Sequence, residues 1–168
     1  MKVWSTDHVP PKQALSYWKD AVCDAFLKVQ TEYDDTAGFQ GTITCTPIGT
    51  LVANDVRSQS HIVKRNQQGI GRDRDDWFFV NLHKAGTCSL TQGRQTHTPM
   101  VGDFSFHDST RPFDLRFHDD NGTHLFCRPA IGVAVTWPSG RQRSGGSIWR
   151  SGQLPGLPCP GRGSDHRV

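Results

Sequence analysis

The chain is poor in the residues that most enzymes and most secreted scaffolds are built from. Its 168 residues hold one glutamate, Glu32, and only two methionines and two tyrosines. The five cysteines (Cys23, Cys45, Cys88, Cys127, Cys159) are odd in number and scattered, with no Cys-x-x-Cys. That pattern suggests neither a disulfide framework nor a zinc site. There are eight histidines but no His-x-His. A metal-binding barrel needs clustered ligands with a carboxylate close by. Here His83, His97, His107, His118 and His124 stand apart, and Glu32 lies far upstream. No Gly-x-Ser-x-Gly elbow or phosphate-cradling Gly-Lys-Ser/Thr loop occurs. Asp108-Ser109 near histidines in sequence does not make a triad. Asp75-Asp76 and Asp119-Asp120 are adjacent pairs on turns, where carboxylates are solvated rather than set across a substrate. No cofactor, no metal and no enzymatic activity are expected. No run approaches the ~20 apolar residues of a membrane span. The start, MKVWSTDHVPPKQ, lacks the apolar core of a signal peptide. A cytoplasmic protein without membrane contact is expected.

Charge is unevenly spread. Up to Phe126 there are 13 Lys plus Arg against 15 Asp plus Glu, a net of −2. From Cys127 onward six arginines face a single acid, Asp165, a net of +5. The basic surplus belongs to the tail. The body has no electrostatic footprint for nucleic acid, and the tail's arginines allow only unspecific, salt-sensitive binding.

Period-two alternation punctuated by turn residues dominates the body. Trp77 to Leu82 is an apolar, β-rich run that Gly86 breaks. Thr87 to Gln92 follows, Gly93-Arg94 turns the chain, and Arg94 to Thr98 ends at Pro99. After Gly102-Asp103, Phe104 and Phe106 alternate with Ser105 and His107. Phe113, Leu115 and Phe117 alternate with Asp114 and Arg116. Upstream, Phe39 to Thr46, Thr50 to Arg57 and His61 to Lys64 read as strands. Downstream, His118 to Gly122 is a turn and Thr123 to Phe126 starts one more strand. Many short strands at this spacing predict an antiparallel barrel or sandwich. Gly86, Gly93 and Gly102 stand where a positive φ is useful. Asn66 to Asp76, with its mixed charges, reads as a solvated loop.

Before the strands comes one amphipathic helix. Pro10-Pro11 suits a helix start. Leu15, Trp18, Val22, Ala25, Phe26 and Val29 then recur at three- and four-residue steps, which makes about four to five turns packed on the outside of the sheet.

The order of these features resembles the N-terminal sensor domain of AraC-type transcription regulators, in the AraC-binding-like subgroup. The resemblance rests on the aromatic strand ending at Gly86, the Gln92-Gly93-Arg94 turn, Pro99 to Gly102-Asp103, and Asp108-Ser109-Thr110-Arg111-Pro112-Phe113. Phe39-Gln40-Gly41, Gly49-Thr50-Leu51 and Val63-Lys64-Arg65 support it upstream. It runs from Trp4 to Phe126. It implies a cupin-like jelly-roll barrel that senses a small-molecule effector and can dimerise, on a protein whose separate C-terminal half reads DNA.

From Cys127 the character changes. Residues 127–168 hold 8 of the 17 glycines, 5 of the 10 prolines and no lysine. They read as a disordered Gly/Pro/Arg-rich tail. Family members complete the strand here and continue through helices to paired helix-turn-helix motifs, and nothing of that kind follows. The sequence therefore reads as an AraC-binding-like domain over 1–126, incomplete at its C-terminal end, followed by a tail over 127–168 that is out of frame. Such a chain is expected to be loosely folded when alone, since a lost half-strand forgoes roughly 1.5–3 kcal/mol for each buried apolar side chain.

Small barrels hold ligands between their sheets. On Trp77 to His83 one face carries Phe78, Val80 and Leu82, and the other Trp77, Phe79, Asn81 and His83. The second face mixes aromatic walls with polar anchors, so these four residues are the candidate ligand site. Arg65 is the candidate partner for an anionic effector. Two other functions remain open on sequence grounds. One is a metal-dependent cupin enzyme, an isomerase or dioxygenase. The other is a pure interaction module presenting Trp18 and Phe26 of the helix.

Overall fold

Alternating side chains bury one face of each strand, and the strands of this chain do so in two antiparallel sheets whose edges are β1 and β12 in one and β2 and β8 in the other. The computed structural model describes residues 1–33, 38–72, 77–120, 122–129 and 148–149. In chain order its strands are β1 (Lys2–Ser5), β2 (Gln30–Glu32), β3 (Gly41–Ile48), β4 (Leu51–Ser58), β5 (His61–Arg65) and β6 (Phe78–Ala85). They continue with β7 (Cys88–Gln92), β8 (Gln95–His97), β9 (Phe104–Asp108), β10 (Phe113–Phe117), β11 (Gly122–Pro129) and β12 (Ile148–Trp149). The first sheet runs β1-β3-β4-β11-β6-β9-β12 and the second β2-β5-β10-β7-β8. Face to face they make the expected cupin-like jelly roll. No helix among the described residues is long and apolar enough to cross a membrane.

The helix predicted from Pro10-Pro11 is α1 (Pro11–Ala25), with proline in its first turn. Its stripe of Ala14, Trp18, Ala21, Val22 and Ala25 is buried. Rather than lying on an outer face, α1 covers one side of the space between the sheets. The Trp18 ring is fully buried against Phe39, centroids 5.1 Å apart, and edge-on to His61. Asp24 holds the helix to β1, accepting from Lys2 Nζ at 2.6 Å and Trp4 Nε1 at 3.1 Å.

The structure adds short elements that carry no period in the sequence. Trp4 belongs to a strand, β1, too short to show a period, and Ser5 caps a single 3-10 turn (Thr6–His8). β2 was hidden for the same reason. The loop after Asn66 contains a short helix, α2 (Gln67–Ile70), because the Asn66 side chain accepts from Gly69 N at 2.9 Å. Residues 73–76 of that loop lie outside the described residues. Past Phe126, β11 continues to Pro129, paired throughout with β4. Ile148–Trp149 adds a strand to the edge of β9. The rest of the expected tail lies outside the described residues.

Gly86, Gly93 and Gly102 all have positive φ. At Gly41 the demand is space instead. A Cβ there would sit 2.6 Å from the buried Trp18 ring. Gly41→Ala should therefore overpack the joint between α1 and β3 and destabilise the protein by about 1–3 kcal/mol. Chemical denaturation measures this, and an unchanged midpoint would show that Trp18 is free to shift.

Candidate functional site

The strand singled out in the sequence, β6, turns Phe79, Asn81 and His83 inward, exposed by only 2%, 0% and 1%. Phe78, Val80 and Leu82 take the outer face and are half-buried. The same inversion holds on β9, where Ser105 and His107 are inside and Phe104 and Phe106 outside. Cross-strand neighbours share a face of the sheet. The register therefore sets Phe79 beside His107, Asn54 and Asn81 on either side of Phe126 with Ser105 beyond, and Val56 and His83 on either side of His124.

This inner face borders an apolar cavity of about 50 Å³. Phe79, His107, Val56 and Phe126 contribute from the first sheet. His61, Val63, Phe113, Leu115 and Phe117 contribute from the second, and Trp18, Val22 and Phe26 close it from α1 and its end. His61 stacks on Phe117 with centroids 4.6 Å apart, and His107 on Phe79 at 4.8 Å.

Behind the aromatic wall runs a polar chain. Asn81 Nδ2 lies 3.0 Å from His107 Nδ1 and 3.3 Å from Ser105 Oγ. His83 Nε2 lies 2.9 Å from Ser105 Oγ, and its Nδ1 faces His124 Nδ1 at 3.1 Å. One of those two facing nitrogens donates and the other accepts. The chain is incomplete. Both amide atoms of Asn54, Asn81 Oδ1 and His124 Nε2 are buried with no hydrogen-bond partner among the described residues. Each such atom costs ~1–3 kcal/mol.

Burial holds these histidines neutral. It lowers His61, His83 and His124 to about 4 and His107 to about 3. For His124 the neighbouring His83 and His61 lower it further. His61 Nδ1 donates to Gln59 O at 2.8 Å, and its Nε2 accepts from Trp18 Nε1 at 3.4 Å. Burial also raises the Cys88 thiol to about 12, so it is a packing residue and not a nucleophile.

Two expected site residues sit elsewhere. Arg65 is buried at the end of β5, donating to Ser109 O at 2.8 Å and Lys28 O at 3.1 Å, and it does not line the cavity. Trp77 N donates to Ser109 Oγ at 2.7 Å, and the indole meets Phe79 edge-on at 6.1 Å. Arg65 and Trp77 thus meet at Ser109 and brace the turn before Phe113. Asn54, Ser105, His107 and His124 were not in the expected set. Ser105 and His107 showed as alternate residues of one strand, but alternation alone does not say which face of β9 is inner. Asn54 and His124 come from strands far apart in sequence. Among the described residues, no three His, Cys, Asp or Glu side chains gather where a metal ion could be held.

A family model for AraC-binding-like domains matches residues 18–128. The chain belongs to that family. It is 27% identical over 156 residues to an uncharacterised protein encoded in the nit 5′ region of Bacillus sp. strain OxB-1, covering 93% of this chain and 56% of that one. A match of that length takes in part of the segment after residue 126. The fold is similar to that of the AraC-like transcriptional activator CuxR, with a TM-score of 0.65 at 20% identity over 76% of this chain and 46% of that one. A weaker likeness is to a variant of Bacillus subtilis oxalate decarboxylase, with a TM-score of 0.41 at 11% identity, covering 65% and 30% of the two chains. The chain spans about half the length of the Bacillus protein and of the activator that it matches.

Two outcomes test the energetics of this AraC-binding-like interior. Replacing an unpartnered amide with an apolar group of similar size should stabilise the empty protein, so Asn54→Leu should add about 1–2 kcal/mol. Thermal melting measures it, and a lower Tm would mean that Asn54 has a partner. Acid should unfold the domain. Each buried histidine binds its proton more readily when unfolded, near pH 6.5, than folded. Stability is therefore full above about 6.5 and falls by roughly 1.4 kcal/mol per histidine for each pH unit below it, until the folded values near 3–4 are reached. Four such groups together should remove about 8 kcal/mol by pH 5, comparable to a margin of ~5–15 kcal/mol. A Tm that stays flat from pH 7 to 5 would mean these rings are not held neutral.

Proposed function

We propose that this chain is the effector-sensing, ligand-binding part of an AraC-type transcription regulator, whose DNA-reading function resides in another part of the intact protein. Dimerisation belongs to the same proposal. Family membership supports the regulatory reading. The cavity between the two sheets, backed by buried polar groups without partners, carries the ligand-binding reading.

The cavity is small for the task. About 50 Å³ accommodates a few heavy atoms, whereas ordinary ligand pockets run to ~300–1,000 Å³. An effector must therefore displace part of the wall. The sheet walls are held by continuous ladders. The α1 wall is held by side chains: Trp18, Val22 and Phe26 inside, and the Asp24 contacts to β1 outside. Binding then shifts α1, and a ligand that prefers the shifted state changes the population of a regulator that reads the helix position. Thermal shift and tryptophan fluorescence against a compound library test this on the chain as it stands. A bound effector should raise Tm and alter Trp18 emission. Val63→Phe and Leu115→Phe, which fill the cavity, should abolish both effects while the protein still melts cooperatively. A ligand whose effects survive in both filled variants binds somewhere else.

A further inference from the structure

The interior also constrains the chemistry of its ligand. The inner rows of the first sheet, made by Phe79 with His107, Asn54 with Phe126, Asn81 and Ser105, and Val56 with His124 and His83, contain no Asp, Glu, Lys or Arg. No described residue lining the cavity is an Asp, Glu, Lys or Arg either. The nearest buried cationic side chain in the second sheet, Arg65, is engaged with the carbonyls of Ser109 and Lys28 and lies outside the cavity lining. Burying a carboxylate or an ammonium without a counter-charge is prohibitive. The lining itself is aromatic and aliphatic apart from His61 and His107. Behind it, outside the lining, stand unpartnered hydrogen-bonding atoms that a ligand pushing past the wall would meet: the acceptor Asn81 Oδ1, the donor and acceptor of Asn54, and His124 Nε2. All three residues are exposed by 0%. They share the sheet face on which Phe126 and Val56 line the cavity.

We propose that the site takes an uncharged molecule with an apolar or aromatic body and one amide, hydroxyl or carbonyl group, and rejects the corresponding carboxylate and amine. This rests on the reading of the interior as the effector site and adds its ligand class. A site with buried hydrogen-bonding groups discriminates by what it pairs and by what it leaves unpaired. The uncharged histidines of the inner wall agree with it, since none supplies a counter-ion at neutral pH.

The test uses four probes of one shape: benzamide, benzyl alcohol, benzoate and benzylamine, each at millimolar concentration with the full chain at neutral pH. Thermal shift reports affinity, and the histidine ring resonances of His83, His107 and His124 report location. Benzamide and benzyl alcohol should raise Tm and move those resonances, with benzoate and benzylamine at least about 10-fold weaker. Asn54→Leu, itself more stable, should weaken benzamide binding, an effect that a packing role does not produce. Asn81→Leu should do the same where it folds. If benzoate or benzylamine moves the ring resonances as strongly as the neutral pair, the ligand class is wrong and the interior site stands. If none of the four moves them, the interior site falls, and the ligand class with it.

Discussion

β11 is the strand on which the architecture depends. It pairs with β4 along one edge and β6 along the other, and so joins β1-β3-β4 to β6-β9-β12. Without it the first sheet would divide in two, and each half would present an open edge. The same strand carries His124 and Phe126 into the interior. Phe126 separates Asn54 from Asn81, and His124 meets His83. Closing the sheet and composing the site are one event, performed by β11.

That closure buries a costly set of groups. A core made only to be stable would not hold four neutral histidines and two asparagines with idle hydrogen-bonding atoms. Here His83, His107, His124 and the two asparagines share one face of the first sheet and His61 faces them from the second, among Phe79, Phe113 and Phe117. Of the seven buried unpartnered side-chain atoms among the described residues, Asn54, Asn81, His124 and Ser58 supply five from the first sheet, and Thr31 and His97 one each from the second, while exposed ion pairs such as Lys84 with Asp55 and Lys64 with Glu32 lie at the surface. Concentrated polar cost in an otherwise aromatic interior is the pattern of a site that something else completes.

Much of this was legible beforehand, for identifiable reasons. Strands of five to eight residues bounded by Gly or Pro, such as β10 and β6, declare themselves by period and punctuation. The helix declared itself by Pro11 and its apolar stripe. Pieces of three or four residues, β1, β2 and α2, are too short to carry a period. On β6 the face of Phe79, Asn81 and His83 is the buried one, and Phe79 is the residue of that face whose apolar character shows in the sequence. The engagement of Arg65 was not legible, because a charge in a strand says nothing of the two carbonyls, from Ser109 and Lys28, to which it donates.

By itself, then, the sequence determined the class of fold, the helix, the positions of the turns and the family, since these follow from local periodicity and backbone chemistry along contiguous stretches. Only the tertiary structure decided which face of β9 looks inward, that His83 meets His124 across 41 residues, and that Asn54 stands unpartnered in the same wall. Pairing register between strands distant in the chain is set by closure of the whole sheet, and no local pattern encodes it.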